Sequence, residues 1–241
     1  MVSRSALEMI NIYYGPSFGH EFRQIWQDIE PLSKSIKDFH QNIGQENLLK
    51  CPSFASHIAR TYVIKSPFGG AMYRSNEKGR SPHWVARLAE PLDVGTQTFS
   101  DEGLSQILSN NFYIFFADKP LTMSVTPPYL HGGKIFGVAG DYDIGRWFRP
   151  LSISTLCNAT KNSPNVFSRG EALSYVSFDT HEKIKLVPVD WPDEALRYTH
   201  SCISYKMLRP MQSLKSIYDF FSQTGWRRRI LNLAQQNIIE K

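Results

Sequence analysis

The run NFYIFFAD (111–118) constrains the fold more than any other stretch, because aromatic and β-branched residues follow one another almost without interruption. Such a run fits a strand buried on both faces. LTMSVT (121–126) comes next, and its alternation of Leu121, Met123 and Val125 with Thr122, Ser124 and Thr126 has the period of two of a half-buried strand. The two segments predict a hairpin at the heart of a sheet.

Other strands are expected around it. MINIYY (9–14) ends at Gly15-Pro16, and TYVIK and Ala71 to Tyr73 flank Gly69-Gly70. KIFGVAG, FRPLSISTLCN and HEKIKLVPV supply more, and VFSRGEALSYVSFD reads as two strands joined in a hairpin by a tight Arg-Gly-Glu turn. Between KIFGVAG and FRPLSISTLCN, the segment DYDIGRW reads as a turn. Residues 75–100 are turn-rich and read as loop with a strand piece at Trp84 to Leu88. The total is about eight strands, at spacings typical of a sandwich or barrel.

Helical periodicity appears in fewer places. Phe22, Ile25, Trp26 and Ile29 predict a helix over His20 to Ile29, with Ser33 to Phe39 resuming it beyond Pro31. Pro52 suits the first turn of a short helix carrying Phe54 and Ile58. Ser100-Asp101-Glu102 resembles an N-cap with an acidic first turn, and predicts a helix through Leu104, Ile107 and Leu108. From Trp191 the texture changes to three helices, from Pro192 to about Met207, from Leu214 to Ser222, and from Trp226 to Ile239. The expectation is a mainly β fold, sandwich or jelly-roll-like, with C-terminal α-helices, an α+β organisation. It divides into a β-rich domain at 1–190 and a helical region at 191–241, packed on it or appended to it.

Composition excludes several classes. With 41% hydrophobic, 13% aromatic and 20% charged residues the chain is globular rather than disordered. No run approaches the ~18 apolar residues of a membrane span, and the N-terminal apolar run is too short and too polar for a signal peptide. Cys51, Cys157 and Cys202 have no metal-ligand spacing. They read as small buried hydrophobes in a reducing compartment. The net charge is +5, and Ser213 to Lys241 carries five basic and two acidic residues. That asymmetry points to an acidic partner for the C-terminus.

Chemistry-bearing residues concentrate in GVAGDYDIGRWFRPL (137–151). Asp141 and Asp143 at i, i+2 could hold a hard cation, and His131 would extend the set to a transition metal. The calcium-loop pattern and the HxD facial triad are both missing, and the structural alternative has the aspartates closing a turn, one of them paired with Arg146 or Arg149. Arg149, beside Trp147 and Phe148, can stack on a ring, or hold a carboxylate or phosphate. Cys51, just ahead of a helix, would be a nucleophile only if His57 or His131 approached it. His181 and Glu182 should open a strand and face solvent. Arg227, Arg228 and Arg229 place three cations at a helix N-terminus, which the helix dipole disfavours unless something compensates. They are the candidate basic patch for nucleic acid or an acidic protein surface, without an RNP motif, zinc finger or Walker loop to accompany them, and the structural alternative is a solvated face.

Four blocks, CPSFASHIARTYVIKSPF (51–68), YIFFADKPLTMSVTPPYLH (113–131), GDYDIGRWFRPL (140–151) and RGEALSYVSFDTHEKIKL (169–186), resemble, in that order, proteins of tailed bacteriophages, notably marine T4-like phages. The blocks are spread over 51–186, a span of a little over half of the chain. It implies phage origin, a mostly β fold and residence in the host cytoplasm during infection or in the virion. It brings no activity, cofactor or catalytic residue. Two functions follow as expectations. One is a structural or interaction protein, with a β-scaffold and a basic helical tail that bind a protein partner or a second copy. The other is a metal-dependent or small-molecule enzyme, oxygenase-like, using His131, Asp141, Asp143 and Arg149.

Overall fold

The computed structural model describes residues 9–17, 26–36, 50–66, 70–75, 83–86, 94–98, 104–131, 135–137, 139–158 and 165–240. The fold is α+β. In chain order the strands are β1 (Met9–Pro16), β2 (Glu30–Pro31), β3 (Thr61–Lys65), β4 (Gly70–Ser75), β5 (His83–Ala86), β6 (Val94–Thr98) and β7 (Leu104–Ala117). They continue as β8 (Thr122–Thr126), β9 (Ile135–Gly137), β10 (Gly140–Asp143), β11 (Pro150–Asn158), β12 (Asn165–Phe167), β13 (Ala172–Phe178) and β14 (Lys183–Pro188). The helices are α1 (Pro52–Ile58), α2 (Asp193–Leu208), α3 (Leu214–Gln223) and α4 (Trp226–Gln236), and residues 32–36 are also helical.

Three sheets result. The first runs β14-β1-β7-β11-β9, with β6 also paired to β7; the second runs β10-β8-β13-β3-β2; the third is β12-β4-β5. One pair in the first sheet is parallel, β1 with β14, in register from Met9 opposite Lys183 to Tyr14 opposite Pro188. Parallel neighbours need a long crossover, and here it runs from residue 17 to residue 182.

The aromatic run is buried on both faces, as its sequence predicts. Tyr113, Phe115 and Ala117 point to one side, where Ile10, Ile12 and Tyr14 of β1 meet Met123, Val125, Val176 and Phe178 of the second sheet. Ile114 and Phe116 point to the other, with Tyr13, into a core made with Phe148, Trp191 and the C-terminal helices. Phe148 sits edge-on to both Phe116 and Trp191, at 5.3 and 5.1 Å between ring centroids. Helices α2, α3 and α4 therefore cover the first sheet through a shared hydrophobic core. A third core, with Leu32, Ile36, Ile58, Val63 and Tyr175, lies on the opposite face of the second sheet.

Several expectations are corrected by this pairing. The predicted hairpin of NFYIFFAD with LTMSVT does not form, because β7 belongs to the first sheet and β8 to the second. The chain crosses between sheets at Asp118 to Leu121, held by Ala117 N–H donating to the Ile144 carbonyl and Ile144 N–H to that of Leu121, at 2.9 and 3.0 Å. Likewise β12 and β13 are not hairpin partners, since β12 pairs with β4 and β13 with β3 and β8. Gly170 does make the turn between them, at φ 85, a left-handed conformation that glycine adopts freely.

The helix predicted through Leu104, Ile107 and Leu108 is strand instead, paired to β6 and β11 on its two sides. Ser100 to Gly103 lie outside the described residues. Ladder bonds on both edges outweigh a weak local helical pattern. Val94–Thr98, expected as loop, is the β6 side of that pairing. Of the helix predicted over His20 to Ile29, residues 20–25 lie outside the described residues and 26–29 are irregular; residues 32–36 overlap the predicted resumption. Asp141 to Asp143, expected in a turn, lie in β10, and the turn begins at Ile144. The last helix stops at Gln236 rather than Ile239, because Ile238 bridges to Val189 of the sheet region.

Candidate functional site

The 137–151 segment is organised by β10, whose residues pair with β8 so that Asp141 faces Ser124 and Tyr142 faces Met123. Asp141 accepts a hydrogen bond from the Ser124 hydroxyl at 2.6 Å. Asp143 closes the turn that follows. Its Oδ1 accepts from Arg146 N–H at 3.0 Å, and its Oδ2 is paired with the Arg146 guanidinium. This is the Asx-type closure with an aspartate–arginine pair that the sequence offers as the structural reading.

Gly145 follows because a Cβ there would lie 2.1 Å from the Lys119 carbonyl oxygen, in the sheet crossover. Trp147 and Phe148 then anchor the chain. Phe148 enters the helix-side core, and Trp147 contacts Tyr205, Tyr218 and Phe221.

Between this segment and α2 and α3 lies a cavity of about 160 Å³. Asp141, Asp143 and Arg149 line it, together with Tyr142, Trp147, Lys206 and Tyr218. The Arg149 guanidinium stacks over the Tyr142 ring at 4.9 Å, and that of Arg146 over Tyr218 at 5.3 Å. Burial raises the pKa of both tyrosines, and Asp143 adds to the rise at Tyr218 while Arg149 opposes it at each. The hydroxyls are therefore neutral hydrogen-bonding groups among cations and aromatic faces. With Arg149 and Lys206 set against Asp141 and Asp143, such a lining has the chemistry to take an aromatic group, or a carboxylate placed on the Arg149–Lys206 side.

His131 does not join this set. Its Nε2 lies 2.9 Å from the Ser35 hydroxyl and its Nδ1 is bonded to the Tyr175 hydroxyl, on the far face of the second sheet. Tyr175 oxygen also accepts from Leu130 N–H at 3.3 Å. The proton placement that satisfies all these groups has Tyr175 donating to Nδ1 and Nε2–H donating to Ser35. Burial lowers the His131 pKa, with Lys65 contributing, and burial raises that of Tyr175. His131 is thus a neutral linker between the 32–36 helical turn and the sheet. Among the described residues no group of three or more His, Cys, Asp or Glu side chains is placed to hold a metal ion.

Cys51 is exposed at the N-cap of α1, against the expectation of a buried thiol, because the proline that starts the helix leaves the preceding residue outside the packed face. Cys202 is buried, as expected. His57 directs its Nε2 to the Tyr129 hydroxyl at 2.9 Å, so the sequence-level pairing of Cys51 with a histidine base has no counterpart in these contacts. His181 and Glu182 are exposed just ahead of β14.

The three arginines of α4 diverge. Arg227 turns inward and donates to the backbone carbonyls of Gly145 and Asp118. Arg229 makes a bidentate pair with Glu194 of α2, at 2.8 and 3.0 Å, which holds the Glu194 carboxyl below its usual range. Arg228 is exposed. Two of the three cations thus receive the compensation that their position at a helix start requires, and they do not form one outward patch.

A different surface stands out at the corner between α2 and α3. Met207, Leu208, Met211 and Leu214 are 74%, 81%, 97% and 58% exposed. Leu214 also lines the cavity, so this apolar corner adjoins its mouth. The signal in the sequence is MLRPMQSL (207–214), apolar residues spread around a helix-ending proline rather than along one face. Compared with known protein families and with curated proteins, the chain matches none.

Proposed function

We propose that this chain is a bacteriophage interaction protein that binds a partner protein at the α2–α3 corner, acting in the infected host cytoplasm or in the virion. The observation that carries the binding site is the apolar group Met207, Leu208, Met211 and Leu214, exposed beside a cavity that holds Arg149 and Lys206. Methionine and leucine clustered at a surface adapt to a partner, and contiguous exposed apolar area is uncommon on a protein that stays alone. The partner segment covers the corner with its own apolar side chains and places one carboxylate-bearing or aromatic side chain in the cavity. Phage origin rests on the four ordered sequence blocks.

The scaffold reads as a sandwich of the first and second sheets, supported by the core they share. Its parallel β1–β14 pair sets it apart from an all-antiparallel jelly roll. The basic tail of the sequence reading gives way to the corner, since Arg227 and Arg229 are engaged within the fold.

Affinity capture from phage-infected cells tests the proposal, with Met211→Asp, Arg149→Glu and Arg228→Ala variants alongside the parent. A protein retained by the parent and by Arg228→Ala, and lost from the other two, is the expected result. Capture that ignores Met211→Asp and Arg149→Glu removes the corner as the site. Sedimentation of the parent and of Met211→Asp reads self-association in the same way. Mass spectrometry of purified virions then separates a particle component from a protein of the infected cell.

A further inference from the structure

The second sheet carries another concavity, independent of the corner. An open cleft of about 440 Å³ lies between its outer face and α1, a size within the roughly 300–1,000 Å³ of small-molecule sites. Its floor is set by strand alternation. Met123, Val125, Val176 and Phe178 turn into the core between sheets, which sends Thr122, Ser124 and Ser177 outward, with Asp141 bonded to Ser124 beside them. The α1 side supplies Ser53, Ser56 and His57, and Arg60 and Asp179 stand at the ends.

Next to His57 is an exposed ring, Tyr129, 52% accessible, tied to it by the bond between Tyr129 hydroxyl and His57 Nε2. The two rings lie 6.4 Å apart at 33°, so Tyr129 stands beside the cleft at His57 rather than among its lining residues. Arg60 is steadied by His181, whose Nδ1 is 3.3 Å from its guanidinium.

Each alternative ligand class meets an objection here. Two carboxylates against one arginine disfavour phosphate. The described residues present no metal-binding group of three ligands. An apolar ligand would cover the Thr122 and Ser177 hydroxyls without offering them partners, Ser124 alone being bonded to Asp141. What fits is a ligand that donates and accepts at many points and has one apolar face. Serine and threonine hydroxyls do both, aspartate accepts from neighbouring hydroxyls, arginine donates, and an exposed tyrosine ring packs on C–H groups.

We infer that the cleft between α1 and the outer face of the second sheet binds a neutral saccharide, with Asp141, Arg60 and Ser177 as its polar contacts and the exposed Tyr129 ring, beside His57, as an aromatic contact for a ligand that extends past its edge. The inference does not rest on the partner-binding corner, although Asp141 borders both concavities.

Saturation-transfer NMR against maltose, cellobiose, lactose, sialyllactose and inorganic phosphate, followed by calorimetry of any binder, tests it. At least one neutral disaccharide is expected to bind in the millimolar range or tighter, ahead of sialyllactose and phosphate. Asp141→Asn, Arg60→Ala and Ser177→Val should each weaken it, the charged positions by about tenfold or more, while Arg228→Ala, at an exposed position on α4, leaves it unchanged. Arg60 and Ser177 lie on elements other than β10, so they decide the matter if Asp141→Asn fails to fold. Absence of binding by every disaccharide, preference for phosphate, or affinity indifferent to both Arg60→Ala and Ser177→Val overturns the proposal.

Discussion

Arg227 donates its Nε–H to the carbonyl oxygen of Gly145 at 3.0 Å, and a second nitrogen of the same guanidinium reaches the Asp118 carbonyl. One side chain at the start of α4 therefore clamps the crossover after β7 to the turn after β10. The role is structural. Arg227→Ala should lower unfolding stability by about 1.5–3 kcal/mol, the range for hydrogen bonds to charged groups, while Arg228→Ala changes it by less than about 0.5 kcal/mol. Urea denaturation of the two variants beside the parent checks this, and equal effects would contradict the clamp.

Gly15 permits a close backbone approach between β1 and the segment after β14. A Cβ there would lie 2.0 Å from the Val189 carbonyl oxygen and 2.9 Å from Trp191 Cδ1. Relief requires moving backbone that also carries the Val189 N–H bond to Tyr14. Gly15→Ala should cost about 3 kcal/mol or more, or abolish soluble expression, since overpacking against backbone has little room to relax. A melting temperature close to that of the parent would show that the approach is looser than described.

His131 makes stability depend on pH with a definite sign. Its folded pKa lies below the usual 6.5, first through burial and second through Lys65. Above 6.5 both folded and unfolded states are neutral at this residue, and its contribution is fully present. As pH falls below 6.5 the unfolded chain binds the proton first, so stability declines until the folded pKa is passed. Midpoints in urea should fall between pH 7 and the acid side of 6, and His131→Asn should flatten that slope. Glu30, whose pKa is lowered chiefly by its hydrogen bond from Lys65, adds a separate decline below the carboxylate range.

Two of the three thiols, Cys51 and Cys202, should separate by reactivity; the Cys157 side chain lies outside those described. Cys51 is exposed, whereas burial pushes the Cys202 thiol up to about 12. Iodoacetamide footprinting of the native protein should modify Cys51 rapidly, and Cys202 only after unfolding. Cys51→Ser should leave partner capture unchanged, and lost capture would restore a functional role to that thiol.

Much of the local structure was legible from the residues. The two-sided burial of YIFFA (113–117), the opening strand MINIYY, the proline-started α1 leading into β3 and the starts of all three C-terminal helices follow from alternation, residue type and helix-start signals. So does the Asp143–Arg146 closure of the turn, because its partners are three residues apart. These features depend on neighbours in sequence.

Only the tertiary structure decided which strands meet. β1 finds β14, the last strand in the chain order, β7 and β8 part into different sheets, and a segment with a helical pattern at Leu104 becomes strand between β6 and β11. Pairing is chosen by burial of both sheet faces at once, a condition no local window contains. The same holds for the sites. His131 is drawn to Tyr175 and Ser35, away from Asp141 and Asp143, and two of the three arginines of α4 are used to hold the fold. The sequence determined the kinds of element and the chemistry available. The packing of sheet on sheet and helix on sheet decided which of those groups face each other, which bind the chain to itself, and which remain for a partner.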